Sequence, residues 1–186
     1  MDTEQLGRSR FLNMLFNPAG WSMESRLRHW LMPPKKALAG AGIDFGQTVL
    51  EVGCGTGFFT LAAAEMIGKD GLLIAMDPLS DYVQRVRTKV KDAELSNVEV
   101  LQRDALDTKL EADSIDLVLL FGVLPYPTLP LDRLLPEMHR VLKADGILAV
   151  WMFPVSFGVP NAISRSGLFT SLRKKNGVYT FSLSEV

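Results

Sequence analysis

The sequence predicts an α/β fold: a doubly wound sheet of seven strands, mostly parallel, with helices on both faces and an antiparallel hairpin at the end. Three observations predict it. Short apolar runs alternate along the chain with segments whose apolar residues follow helical spacing, the pattern of parallel strands joined by crossover helices. The first of these runs lies in Thr48–Phe59, TVLEVGCGTGFF, and turns through three glycines directly into a helical segment. Near the end, Asn176-Gly177 separates two strand-like runs, a strong short-range hairpin signal.

Before the first strand, Phe11, Leu12, Leu15 and Phe16 predict a short helix that breaks at Asn17-Pro18-Ala19-Gly20. Ser22 caps a second helix running to Met32, and Pro34 opens a third over Lys35–Ala41. With Trp21, Trp30 and many Met and Phe, residues 1–41 are too apolar for a disordered tail. They are expected to form helices across the mouth of a site.

Val49, Leu50 and Val52 make a strand buried on both faces, followed by a helix over Phe58–Ile67. Leu72–Met76 is a second strand, and Ser80–Ala93 a helix with Ser80 or Asp81 as its cap. Val98–Leu101 and Ile115–Phe121 are the third and fourth strands. Leu134, Leu135, Met138, Val141 and Leu142 place a helix over Asp132–Leu142, and Asp145-Gly146 turns into a fifth strand, Ile147–Phe153. A short helix near Asn161–Ser166 precedes the hairpin of Leu168–Arg173 and Val178–Phe181. Residues 1–186 thus read as one domain, with N-terminal helices over 1–41 and the sheet core over 42–186.

A chain of 186 residues, 47% hydrophobic and 22% charged, buries a full core and has ordinary globular usage. MDTEQLGRSR lacks the apolar region of a secretory signal, and the longest apolar tracts are too short to span a bilayer as helices. The single cysteine, Cys54, excludes an internal disulfide and offers no zinc cluster. The expectation is a soluble, cytoplasmic protein without a transmembrane segment. Net charge is −1 but uneven: +3 over residues 1–36, +3 over 156–186, and −7 between. No dense basic run with interleaved aromatics occurs, so the ends read as solvated charge and no nucleic-acid partner is expected.

The chemistry centres on the glycine turn. A strand turning through glycines into a helix gathers unpaired backbone N–H groups and the positive end of the helix at one point. That predicts a nucleotide-like ligand at the carboxyl end of the first strand. The dinucleotide fingerprint needs a small residue five positions after Gly53, where Phe58 stands; the phosphate-binding loop needs a Lys after the last glycine, and none follows Gly57. What stands here is Glu-x-Gly-x-Gly-x-Gly. Glu51 before the turn is a poor neighbour for pyrophosphate and a good one for a cationic amino-acid group. Asp77, 24 residues after Gly53 at the end of the second strand, is placed to accept hydrogen bonds from vicinal ribose hydroxyls.

At these residues the sequence resembles the class I methyltransferases that use S-adenosylmethionine, in particular small-molecule members similar to the quinone-biosynthesis type. The resemblance covers about residues 42–181 and rests on four matches: Glu51 to Gly57; Asp77; Asp104-Ala105; and Asp116–Leu124 with His139-Arg140-Val141-Leu142-Lys143-Ala144-Asp145-Gly146. It implies a Rossmann-like sheet ending in an antiparallel hairpin, with S-adenosylmethionine as cofactor and S-adenosylhomocysteine as product. It further implies that Glu51, Gly53, Cys54, Gly55, Thr56 and Gly57 hold the methionine part and Asp77 the ribose. Pro78 or Leu79 would lie against the adenine, Asp104 and Ala105 would meet its edge, and Phe121 and Gly122 would complete the set.

Each of these residues also has a structural use. Glu51 is read as a ligand contact rather than a cap, Asp104 as either a ligand contact or a turn former, and Cys54 as a small buried filler. His139, on a helix away from the strand ends, is read as structural. Tyr126, in the loop after the fourth strand, and His29 are candidate acid–base groups for the acceptor, with packing or surface roles as the alternative for both. The segment Trp151–Pro160 lines a pocket for an apolar acceptor or simply covers the core.

The Asn/Asp-Pro-Pro-Tyr/Phe signature of nucleic-acid amino methylation is missing, and one cysteine argues against arsenite methylation. Two functions remain from the sequence: methyl transfer to a small, apolar or aromatic acceptor, in a monomer or homo-oligomer, and a non-catalytic cofactor-binding subunit or regulator. A nicotinamide dehydrogenase is disfavoured by Phe58.

Overall fold

The computed structural model describes residues 33–125, 129–152 and 158–184. The first two expected helices and most of the segment after the fifth strand lie outside them, as do His29 and Tyr126. The elements in order are α1 (Pro34–Ala41), β1 (Thr48–Val52), α2 (Thr60–Ile67), β2 (Leu72–Asp77), α3 (Ser80–Asp92), β3 (Val98–Gln102), β4 (Ile115–Phe121), α4 (Leu131–Val141), β5 (Leu142–Trp151), α5 (Val159–Arg165), β6 (Phe169–Lys175) and β7 (Val178–Leu183).

Among the described residues, seven strands form one sheet in the order β3-β2-β1-β4-β5-β7-β6. The pairings β1–β2, β2–β3, β1–β4 and β4–β5 are parallel, while β7 runs antiparallel to both β5 and β6. From β1 the chain first winds outward through β2 to β3 and then returns to place β4 on the other side of β1. The carboxyl ends of β1 and β4 therefore flank the point where strand order reverses, the place where such sheets hold ligands.

The two-residue period of each strand divides the core. Leu117, Leu119 and Phe121 of β4 join α1 and α2 on one face, while Val118 and Leu120 join α4 on the other. Val83, Val86 and Val90 of α3 cover Ala75 and Val100. Because helices cover both faces, the central strands are largely apolar rather than alternating, with Glu51 in β1 and Asp116 in β4 as exceptions.

Several boundaries differ from the sequence expectation. β5 begins at Leu142, five residues before Ile147, because Ile115 pairs with Leu142 and Leu117 with Ile147 across an irregular register. Asp145-Gly146 is a bulge inside a strand. A Cβ at Gly146 would lie 2.8 Å from Leu142 Cδ2 and 3.0 Å from Ile115 O, so only glycine fits. α2 starts at Thr60 rather than Phe58, since the glycine turn continues through Phe59. Neither Ser80 nor Asp81 caps α3: its N-cap is Leu79, whose N–H is taken by Asp77 Oδ1 at 2.9 Å.

Candidate active site

The turn after β1 is held from the neighbouring strand. Gly53 N and Cys54 N both donate to Met76 O, at 2.8 and 3.0 Å, and Gly57 N donates to Cys54 O at 2.9 Å. Gly53 has φ +69°, and a Cβ there would lie 2.4 Å from Val123 Cγ1. The loop after β4 thus rests on the first glycine, and a side chain at that position is excluded twice, by conformation and by space.

Two carboxylates stand beside this turn. Glu51, on the α2 side of β1, is 3% exposed, and its Oε2 accepts the Thr60 hydroxyl at 2.6 Å. Asp77 ends β2; its Oδ2 accepts Gly55 N at 3.0 Å and its Oδ1 accepts Leu79 N. Burial pushes the Glu51 carboxyl up to about 8, opposed by the Thr60 bond and reinforced by the charge of Asp77. Burial likewise raises Asp77 to about 6 against the two N–H groups that favour its ionised form. Cys54 is a free, buried thiol pushed well up by burial and by both carboxylates, the inert filler the sequence suggested. In the same turn, Thr56 Oγ1 is buried with no hydrogen-bond partner among the described residues. An orphaned hydroxyl at such a depth calls for a ligand.

The remaining predicted residues lie along the same edge of the sheet. Pro78 and Leu79 are half-buried just past Asp77, and Pro78 O accepts Gln102 Nε2 at 3.2 Å. Asp104 follows β3, where its Oδ1 accepts Leu106 N at 2.9 Å, so the turn-forming role is present; Ala105 is buried in the core. Phe121 is buried at the end of β4, edge-on to Phe59 at 5.0 Å, and exposed Gly122 donates its N–H to Trp151 O at 2.9 Å. Phe59 also meets Trp151 edge-on at 5.7 Å, so an aromatic wall closes the carboxyl ends of β4 and β5. His139 stacks edge-on to Phe169 at 5.8 Å, in keeping with its structural reading.

Sequence reasoning missed two residues that support the turn. Thr60 reaches Glu51 from the first position of α2. Lys89 Nζ, from α3, donates to Thr56 O at 2.9 Å across 33 residues of sequence. A hydroxyl where a strand–turn–helix folds back on its own carboxylate is a usable signal for the first; nothing local marks the second.

Comparison with known proteins decides the family. A profile described as "Methyltransferase domain" matches residues 49–146, just over half of the chain. The chain belongs to the class I methyltransferase family. This methyltransferase domain is 37% identical over 108 residues to the demethylmenaquinone methyltransferase of Listeria welshimeri, covering 58% of this chain and 45% of that protein. It therefore spans about half the length of the curated relatives it matches. A solved S-adenosylmethionine-dependent methyltransferase from Aquifex aeolicus superposes with TM-score 0.74 at 25% identity, over 89% of this chain and 96% of the other. Coclaurine N-methyltransferase, solved with N-methylheliamine and S-adenosylhomocysteine, gives TM-score 0.55 at 25% identity over 64% and 34% of the two chains.

S-adenosylmethionine is the family's cofactor, and the residues present fit it. Two buried carboxylates and an orphaned hydroxyl on one strand edge match a ligand that carries an ammonium, a sulfonium and ribose hydroxyls. Among the described residues no cluster of His, Cys, Asp and Glu could hold a metal ion, and no helix is long and apolar enough to cross a membrane.

Proposed function

We propose that this methyltransferase domain moves a methyl group from S-adenosylmethionine to a small, apolar or aromatic acceptor by in-line displacement. A quinone of the kind named in its Listeria relative is the leading class. The observation that carries the reading is the placement of Glu51 and Asp77 on adjacent strands, both buried, either side of a turn whose first two N–H groups are fixed on Met76 O.

When bound, the cofactor supplies a methyl group on positively charged sulfur, already activated for displacement. The work of the chain is then alignment and exclusion of water. Ionised Glu51 attracts the ammonium of the methionine part, and Thr56 Oγ1 gains its missing partner. Each Asp77 oxygen accepts one backbone N–H and keeps a lone pair for a ribose hydroxyl. Pro78 and Leu79 would hold the adenine, with Asp104 and Ala105 at its edge. Gly53, Cys54, Gly55 and Gly57 let the ligand lie on the backbone, and Phe121 with Gly122 borders the transferring group. The wall of Phe59, Phe121 and Trp151 supports an apolar acceptor. Of the acceptor-side candidates, Tyr126 to orient or deprotonate the acceptor and His29 as a base, both lie outside the described residues and remain for mutagenesis to test.

Calorimetric titration with S-adenosylmethionine, S-adenosylhomocysteine and NAD tests the first half. Micromolar binding of the first two, weakened at least tenfold by Asp77→Ala, is expected. Absence of both, or preference for NAD, overturns the reading. Turnover against a panel of demethylated quinols and phenols tests the second half. Binding without any turnover would assign the chain to a non-catalytic, cofactor-binding role instead.

A further inference from the structure

The β6–β7 hairpin carries a charge pattern that cofactor binding does not use. Residues 146–184 contain Arg165, Arg173, Lys174 and Lys175 and no Asp or Glu. The last three cations lie on β6, at the edge of the sheet, and are exposed. The hairpin tip is at the ligand end of the molecule, because Val178 pairs with Trp151, the last residue of β5. It also abuts α1: Asn176 Nδ2 donates to Lys36 O at 2.8 Å, which brings exposed Lys36 into the same corner. Lys174 Nζ sits 4.6 Å above the Tyr179 ring. Among the described residues, no carboxylate forms an ion pair with Lys36, Arg173, Lys174 or Lys175. Leu172, on the same strand, is 53% exposed.

Lysines on an edge strand guard it against pairing with other chains. That purpose would be served as well by mixed charges, and it does not account for Lys36, which is on a helix. What distinguishes the corner is one sign of charge, an exposed apolar residue, and a position beside the acceptor end of the sheet.

We propose that this corner docks on the surface of an anionic phospholipid bilayer and so presents the site to an acceptor dissolved in the membrane. The inference rests on the apolar-acceptor reading above, since an apolar acceptor partitions into lipid and must be met there. Charge complementarity selects the occupant: an anionic surface accepts a cationic corner, and the contact is peripheral, reversible and weakened by salt.

The test is co-sedimentation of the full chain with vesicles of phosphatidylcholine plus phosphatidylglycerol, compared with phosphatidylcholine alone. Preferential binding to the anionic vesicles is expected, falling about fivefold for each cation neutralised. Lys36→Gln, Lys174→Gln and Lys175→Gln combined should therefore lose about a hundredfold, and Lys175→Gln alone about fivefold. Both variants keep cofactor affinity, which checks that they fold. Equal binding to neutral vesicles, undiminished binding by the triple variant, or tighter binding to a DNA duplex than to the vesicles would each overturn the proposal. Methylation of a short-chain, water-soluble quinol separates the two claims: it persists in wild type and triple variant alike if only the docking surface is wrong.

Discussion

Thr60 Oγ1 donates to Glu51 Oε2 at 2.6 Å, tying the first residue of α2 back to the strand that precedes the glycine turn, with both side chains buried. A hydrogen bond to a buried carboxylate favours its ionised form, the form that attracts a cationic ligand. Thr60→Val removes the bond and keeps the volume. A bond to a charged group contributes about 1.5–3 kcal/mol, so affinity for S-adenosylmethionine near neutral pH should drop at least tenfold, with Thr60→Ser close to wild type. Unchanged affinity in Thr60→Val, measured by calorimetry, would remove Glu51 from the ligand's contacts.

Proton linkage follows from the same pair. Glu51 at about 8 and Asp77 at about 6 both lie above their values in the unfolded chain. Folding therefore favours their protonated forms, and the contribution to stability is fully present below the ordinary carboxylate range. It is lost as pH rises through about 6 and then about 8. The ligand-free protein should melt at progressively lower temperature across that window, and Glu51→Gln should abolish the upper step. A cationic ligand favours the ionised carboxylates, so its affinity should rise over the same window with release of a proton. Calorimetry in two buffers of different ionisation enthalpy reads that release directly. A proton uptake would contradict the assignment of Glu51 to the ammonium.

What the sequence revealed and what it concealed divide along a physical line. The strand, the glycine turn and Asp77 were legible because each depends on local periodicity or on a residue standing at a strand end. The β6–β7 hairpin was legible from Asn176-Gly177 for the same reason. The bulge at Asp145-Gly146 was misread as a turn into the fifth strand, since turn chemistry looks alike in a loop and in a bulge. Lys89 on Thr56 O was invisible: a long side chain from another helix closes on the turn only after α3 has packed. Asp116 opens the stretch matched to the family and lies at the start of β4, at the opposite end of the strand from Phe121.

Asp116 accordingly predicts a stability effect without a binding effect. Its Oδ2 accepts Thr48 N at 2.7 Å and its Oδ1 accepts Lys143 Nζ at 2.6 Å, linking the starts of β1, β4 and β5. The ion pair is partly exposed and contributes little by itself. The larger loss in Asp116→Ala comes from leaving Thr48 N without its acceptor, about 1–3 kcal/mol. Denaturant unfolding should show that loss, and Asp116→Asn, which keeps an acceptor, should show less. Affinity for S-adenosylmethionine should stay at the wild-type value in both; a parallel fall would mean that the strand starts are coupled to the turn.

Glu137 makes a comparable anchor on α4. Its Oε1 accepts both Thr108 N and Thr108 Oγ1, at 2.9 and 2.6 Å, and Arg140 donates to it from one turn on. Although desolvation raises its pKa, the bonds from Arg140 and Thr108 outweigh it and hold Glu137 at about 2. Its stabilising contribution is thus present above the ordinary carboxylate range and lost as pH falls toward 2. Glu137→Gln should flatten acid unfolding over that interval. An acid-unfolding curve identical to wild type would show that the loop at Thr108 is held by other contacts.

Gly53 separates the needs of the fold from those of the ligand. An alanine there meets two obstacles: φ +69°, costing about 1–2 kcal/mol for an L-residue, and a Cβ 2.4 Å from Val123 Cγ1. Gly53→Ala should therefore lower the melting temperature and abolish measurable cofactor binding. Val123→Ala in the same chain clears the close contact and leaves the backbone strain. The double variant should regain part of the lost stability. It should not regain affinity if the ligand lies on the backbone at Gly53, because the added methyl group still stands between them. Recovery of stability and affinity together would show that Gly53 serves only the packing of the loop after β4.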